Sequence, residues 1–123
     1  MICLDTNALI RFFTDDDHKK ASLVAKLLEK EKEIIIPEVV FPEIEYVLQG
    51  VYKSNRSQII DIFKFLTSRS NIKLNQIVKK AVTLFEQTSL DMADCLIVSH
   101  SLKGRLASFD DQLVSVKGVR RYW

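Results

Sequence analysis

The chain has 123 residues, of which 47% are hydrophobic and 28% charged, with a net charge of +2. This length suffices for one domain with a sizeable core, and 3 Gly and 2 Pro are too few for a disordered or loop-rich chain. So small a charge does not by itself indicate a nucleic-acid binder. The basic, aromatic end, residues 117–123, has the residue types that contact phosphate and stack on a base, but a solvated terminal strand is the commoner explanation.

The two cysteines, Cys3 and Cys95, lie in apolar stretches. They are too few for a disulfide framework, so we predict two reduced thiols in the core and a cytoplasmic protein. No secretory leader is visible, and no apolar run has the length of a membrane span. We therefore predict one domain over residues 1–123, with no membrane partner.

The first predicted element is the apolar run at 2–4, which ends abruptly at Asp5. A short apolar run bounded by polar residues is typical of a strand buried on both faces of a parallel sheet. A short helix should follow at 8–13, with Thr6 or Asn7 as its N-cap. The acidic stretch 14–18 then interrupts the apolar pattern.

The rest of the chain alternates short strands with helices. Strands are predicted near 33–37, 72–74, 106–109 and 119–122, and helices near 21–32, 38–49, 55–66, 77–85 and 91–102. A single turn of helix is expected after 110. Such alternation predicts βαβ units, and hence an α/β fold with a central, mainly parallel sheet.

Carboxylates follow two of these strands directly. Asp5 ends the first strand, and Asp110 with Asp111 ends the strand at 106–109. The carboxyl ends of parallel strands meet at one edge of the sheet, which is where α/β proteins bind ligands. We therefore expect these groups to converge, although they are far apart in the chain.

Two more carboxylates, Asp91 and Asp94, begin the last long helix. Residues three apart share a helix face, and acidic side chains are favoured in a first helical turn. Capping is the ordinary explanation for Asp91, and a role in a functional site is the alternative. Asp94 stands among apolar neighbours, where a carboxylate needs a cation or a hydrogen-bond partner.

Glu43 and Glu45 are further candidates on the helix at 38–49. They flank the apolar stripe about symmetrically on either side of Ile44, so helical periodicity does not choose between them. A solvated charge is the ordinary explanation for both.

Several carboxylates at one place imply a hard divalent cation, of which Mg²⁺ and Mn²⁺ best fit oxygen ligands. Zinc is disfavoured because His18 and His100 stand alone. No Gly-rich phosphate loop or serine nucleophile elbow is present. The remaining chemistry is metal-assisted attack of water on a phosphodiester. A phosphotransferase with an aspartyl nucleophile is the rival, but Asn7 occupies the place of its second Asp.

Four stretches carry a resemblance to a known family: LDTNALI at 4–10, IP with PEIEYVL within 36–48, LDMADCLI at 90–97 and LASFD at 106–110. In their order and spacing the chain resembles the PIN-domain ribonucleases, most closely the small VapC-type toxins of prokaryotic toxin–antitoxin pairs. The resemblance covers essentially the whole chain. It implies a three-layer α/β/α fold with a central, mainly parallel sheet of four to five strands.

The resemblance also implies a metal site and an activity. Asp5, Glu43, Asp94 and Asp110 would hold Mg²⁺ or Mn²⁺, which breaks the tie with Glu45, and the supporting residues would be Thr6, Asn7, Asp91 and Ser108. Ser108 stands where Thr is common, and Asp111 leaves open which of the adjacent acids serves the metal. The implied activity is endonucleolytic cleavage of RNA, in a homodimer that a cognate antitoxin inhibits. A stand-alone RNA-processing nuclease and a non-catalytic RNA-binding module are the alternatives.

Overall fold

The computed structural model describes all residues, 1–123. They form two compact units, Met1–Leu74 and Asn75–Trp123. The first contains β1 (Ile2–Cys3), α1 (Thr6–Thr14), α2 (His18–Lys30), β2 (Ile34–Ile35), α3 (Val40–Gly50), α4 (Arg56–Ser68) and β3 (Ile72–Lys73). The second contains α5 (Gln76–Gln87), α6 (Met92–Ser101) and α7 (Asp111–Val114). The expectation of one domain over the whole chain stays a prediction.

The sheet of the first unit has three parallel strands in the order β1-β2-β3. Ile34 lies opposite Ile2 on one side and Ile72 on the other. Because α1 and α2 connect β1 to β2, and α3 and α4 connect β2 to β3, the predicted βαβ units and the α/β class are confirmed. Asp5 immediately follows the carboxyl end of β1, and α3 starts shortly after the carboxyl end of β2.

The sheet has three strands, fewer than the four to five expected, while its α/β class is as expected. The stretches expected as strands at 106–109 and 119–122 meet in the second unit at a single parallel bridge between Leu106 and Arg121. The N–H of Leu106 donates to the carbonyl of Arg120 over 2.8 Å, and the N–H of Tyr122 donates to the carbonyl of Leu106 over 3.0 Å. A parallel ladder repeats such bonds at every second residue, but the pairing does not continue past Leu106, and the N–H of Asp110 donates to the side chain of Ser108 instead.

The first strand is also more exposed than predicted. Cys3 is exposed, while Leu4 is buried. Successive side chains of a strand point to opposite faces of the sheet, so Cys3 and Leu4 lie on opposite faces, and the face that carries Cys3 is not covered there. The predictions of a doubly buried strand and of a core thiol at Cys3 are therefore wrong. Cys95 is buried and forms no disulfide, as expected.

Each unit has its own apolar core. In the first, α3 and α4 contribute fully buried side chains, and the rings of Phe41 and Phe63 lie 5.5 Å apart. In the second, α5 packs against α6, and Phe85, Met92 and Val98 are completely buried. Each such side chain stabilises the fold by about 1.5–3 kcal/mol. None of the helices combines the length and apolarity that crossing a membrane requires.

Candidate functional site

Asp5 connects β1 to α1 and is the N-cap of that helix. Its backbone is extended, with φ −97° and ψ 175°, and its Oδ1 accepts a hydrogen bond of 2.9 Å from the N–H of Ala8. The prediction of Thr6 or Asn7 as the cap is wrong, because both already have helical backbone. Capping uses only one carboxylate oxygen. The other oxygen of this exposed side chain is available to a ligand.

Thr6 connects the start of α1 to Glu43. Its Oγ1 donates a hydrogen bond of 2.6 Å to Oε1 of Glu43, in the first turn of α3. Since Thr6 directly follows Asp5, this bond ties the second predicted carboxylate to the residue beside the first. The exposed side chain of Asn7 lies in the same helical turn as Thr6.

Glu43 and Glu45 have different surroundings. The side chain of Glu43 is exposed, whereas Glu45 is only 6% exposed and its Oε2 lies 3.4 Å from Nε2 of Gln49. A solvated charge is therefore the wrong explanation for Glu45. The contact with Thr6 supports Glu43 as the ligand, an assignment that stays a prediction.

In the second unit, Asp91 is the N-cap of α6. Its Oδ1 accepts a hydrogen bond of 2.8 Å from the N–H of Asp94. Capping, the explanation that the sequence offers for Asp91, is confirmed. Any contact of Asp91 with a metal remains untested.

Asp94 and Asp110 are brought together within that unit. The pKa of Asp94 is raised above its ordinary value, first because burial desolvates the carboxylate and then because the negative charges of Asp91 and Asp110 lie nearby. A hydrogen bond with Asp91 raises it further. The structure thus shows two predicted ligands, 16 residues apart in the chain, close enough to repel each other.

Asp110 caps the short helix α7. Its Oδ1 accepts a hydrogen bond of 2.9 Å from the N–H of Gln112, and its own N–H donates to Oγ of Ser108 over 3.0 Å. Ser108 therefore orients the backbone at Asp110, a structural basis for the supporting role predicted for it. Asp111 is the first residue of α7 and is exposed.

The donor set fits a hard cation. Every predicted ligand is a carboxylate, the ligand type that Mg²⁺ and Mn²⁺ prefer. A cation would offset the desolvation and the repulsion that together raise the pKa of Asp94. Nowhere does the structure arrange three or more His, Cys, Asp or Glu side chains so that they could hold a metal ion. Convergence of Asp5, Glu43, Asp94 and Asp110 on one ion stays a prediction.

Phe109 is a residue whose position the sequence does not predict. Expected inside a strand, it is instead 86% exposed directly before Asp110, and its ring lies 4.9 Å from that of Trp123. The signal in the sequence that could have indicated a role for Phe109 is the aromatic and basic end of the chain. The sequence itself, however, favours a solvated terminal strand there.

Comparisons with known proteins agree with the motif resemblance. The model of the PIN domain family matches residues 2–119, a range that includes all four motif stretches. A VapC ribonuclease of Aquifex aeolicus (strain VF5) is 26% identical over 101 residues, which cover 78% of this chain and 75% of that protein. No solved structure matches the chain.

Proposed function

Because the chain belongs to the PIN domain family, we propose that it is a metal-dependent endoribonuclease of the VapC type. The observation that carries this proposal is the match over residues 2–119, within which the acidic positions implied by the resemblance are all present. The similarity to a VapC ribonuclease over most of both chains supports RNA as the substrate.

We propose that Asp5, Glu43, Asp94 and Asp110 hold the cation, Mg²⁺ or Mn²⁺. When bound, the ion supplies the positive charge that assists attack of water on a phosphodiester. The protein's own part is to position oxygen ligands. The helix cap fixes Asp5 through Oδ1, and the Thr6 hydroxyl fixes one oxygen of Glu43. The repulsion between Asp94 and Asp110 favours binding of a cation there.

The side chains around this set have supporting roles in the proposal. Asp91 holds the first turn of α6, which carries Asp94, and Ser108 holds the backbone at Asp110. Thr6 sets the rotamer of Glu43, which completes the ligand set or orients a water. Such second contacts keep ligands in place and contribute substantially to metal affinity.

The biological setting follows from the family. We propose that the protein is the toxin of a toxin–antitoxin pair, acts on RNA in the cytoplasm, forms a homodimer, and is inhibited by a cognate antitoxin. A short neighbouring reading frame would support that role if it encodes a DNA-binding protein and that protein co-purifies with this chain. A lack of such a gene would favour a stand-alone RNA-processing nuclease.

Cleavage of RNA tests the enzymatic proposal. Purified protein with Mn²⁺ should cut mixed RNA, and EDTA should abolish the cutting. Asp5→Asn should lower the rate by more than about 100-fold, beyond the 10–100-fold typical of residues that only support a ligand. The matched control is Asp61→Asn, which neutralises an exposed carboxylate on α4 and should leave the rate unchanged.

Two results would contradict the proposal. Cutting that persists with EDTA or with Asp5→Asn would identify a contaminating nuclease. A protein that binds RNA but cuts none of several RNAs with Mn²⁺ would instead be a non-catalytic binding module.

A further inference from the structure

Three exposed aromatic side chains form a cluster at the end of the second unit. Phe109 is 86% exposed, Tyr122 58% and Trp123 60%. The ring centroids of Phe109 and Trp123 lie 4.9 Å apart with the planes inclined at 36°, and the ring of Tyr122 meets that of Trp123 edge-on at 5.2 Å. We call these three side chains the aromatic platform.

Backbone hydrogen bonds hold the two chain segments of the platform together. Leu106, three residues before Phe109, accepts from the N–H of Tyr122 over 3.0 Å and donates to the carbonyl of Arg120 over 2.8 Å. The last residues are therefore fastened beside the segment that leads to Asp110. The sequence favours a solvated terminal strand for these residues. In the structure their aromatic rings instead contact each other and the ring of Phe109.

Cations accompany the platform. The guanidinium of Arg105 lies 5.2 Å from the ring centroid of Tyr122. Exposed Lys117, Arg120 and Arg121 belong to the same terminal segment. Contiguous exposed aromatic surface marks a binding site, and cations beside it indicate a ligand that has both flat apolar rings and negative charge.

Single-stranded nucleic acid has that chemistry. Its unpaired bases stack on aromatic side chains, and its phosphates are neutralised by Arg and Lys. Phe109 is also covalently adjacent to Asp110, whose negative charge lies close enough to Asp94 to repel it. A base on this ring would belong to a nucleotide close to these carboxylates.

We propose that the aromatic platform is a base-stacking subsite for unpaired RNA beside the acidic residues. The inference rests on the proposed nuclease function and adds to it a stacking position on the platform for one unpaired nucleotide next to the cleaved bond. Stacking on aromatic side chains changes affinity by about 5- to 150-fold per base. The platform therefore makes a measurable contribution to binding.

The chain carries its own probe, since Trp123 is the single tryptophan. The full-length protein in EDTA, which prevents cleavage, is titrated with a short single-stranded RNA of mixed sequence. Stacking should quench the Trp123 emission. A duplex of the same sequence should quench it much less, because its bases are already stacked and paired.

Variants separate the platform from general charge attraction. Phe109→Ala and Trp123→Ala should each weaken binding of a labelled RNA by about 5- to 150-fold, whereas Trp123→Phe, which keeps a flat ring, should stay near wild type. The matched control is Leu23→Ala, which removes an exposed apolar side chain of α2. In cleavage with Mn²⁺, Phe109→Ala should raise KM and leave kcat nearly unchanged.

The outcomes distinguish this proposal from the nuclease proposal. Quenching and weakened variants without any cleavage support the platform and refute the nuclease. Equal kcat/KM for RNA cleavage by wild type, Phe109→Ala and Trp123→Ala would refute the platform and leave the nuclease standing. If the Trp123 emission does not change when RNA is added, and Phe109→Ala changes the oligomeric state, the platform is a contact between copies of the protein. That result would overturn the proposal.

Discussion

Substitutions of Asp5 should separate its two roles, because the side chain both caps α1 and is a proposed metal ligand. Asn is as good an N-cap as Asp, but it lacks the charge. Ala lacks both the charge and the oxygen that accepts from the N–H of Ala8 at 2.9 Å. We therefore expect Asp5→Asn and Asp5→Ala to lose cleavage alike and to differ in stability.

The size of the difference follows from the cap. Replacing an N-cap by Ala costs about 0.5–2 kcal/mol, most often about 1 kcal/mol. Loss of the negative charge at the helix N-terminus costs about 0.3–1 kcal/mol, and both variants share this cost. The free energy of unfolding of Asp5→Ala should therefore be about 1 kcal/mol lower than that of Asp5→Asn. For a chain of this size, that lowers the Tm by about 3–6 °C.

Urea unfolding in EDTA measures the free energy of each variant, and Mn²⁺-dependent RNA cleavage measures the activity. Asp61→Asn is the control for loss of one exposed carboxylate. Equal stability of Asp5→Asn and Asp5→Ala would show that the cap contributes nothing. Cleavage by Asp5→Asn at near the wild-type rate would remove Asp5 from the metal site.

Three further predictions follow from single contacts. Glu43→Gln should strongly reduce cleavage, while Glu45→Gln, at the buried neighbour, should cleave near the wild-type rate; the reverse order would assign the ligand to Glu45. Thr6→Val removes the donor to Glu43 and should lower metal-dependent cleavage by about 10- to 100-fold, which Thr6→Ser should restore; equal rates would show that the hydrogen bond has no part in the site. The hydrogen bond from Tyr52, and then that from Arg11, lowers the pKa of Asp16 below 3.8, so this contact should stabilise the fold fully above pH 3.8 and be lost as the pH falls through the lowered pKa. The gap in urea midpoint between wild type and Asp16→Asn should accordingly narrow in acid, and a constant gap would argue against the contact.

The end of β1 shows how far the sequence carries a structural argument. An apolar run that stops at a carboxylate predicts both the strand and the position of Asp5 after it. The sequence does not predict which residue caps α1, because Asp, Thr and Asn are all good N-caps. Only the backbone angles at Asp5 identify it as the cap. The exposure of Cys3 depends on which parts of the chain cover that face of the sheet, and the local sequence does not show this.

The choice between Glu43 and Glu45 has a similar origin. Both stand at equal angles from the apolar stripe of α3, so periodicity treats them alike. A tertiary contact, the hydrogen bond from Thr6, distinguishes them in the structure. The prediction of a strand at Phe109 is wrong for a related reason. An apolar run forms a strand only if a neighbouring segment pairs with it along its length, and here pairing stops at Leu106.

Binding of Mn²⁺ to a set of carboxyl variants most directly tests the claim that one cation is held by acids from distant parts of the chain. Titration calorimetry would compare wild type, Asp5→Asn, Asp94→Asn and the double variant. If both side chains ligate the same ion, each single substitution weakens binding by more than about 10-fold. The double variant then loses less than the two effects combined, as expected for residues that share one partner. Wild-type affinity in either single variant would contradict the account.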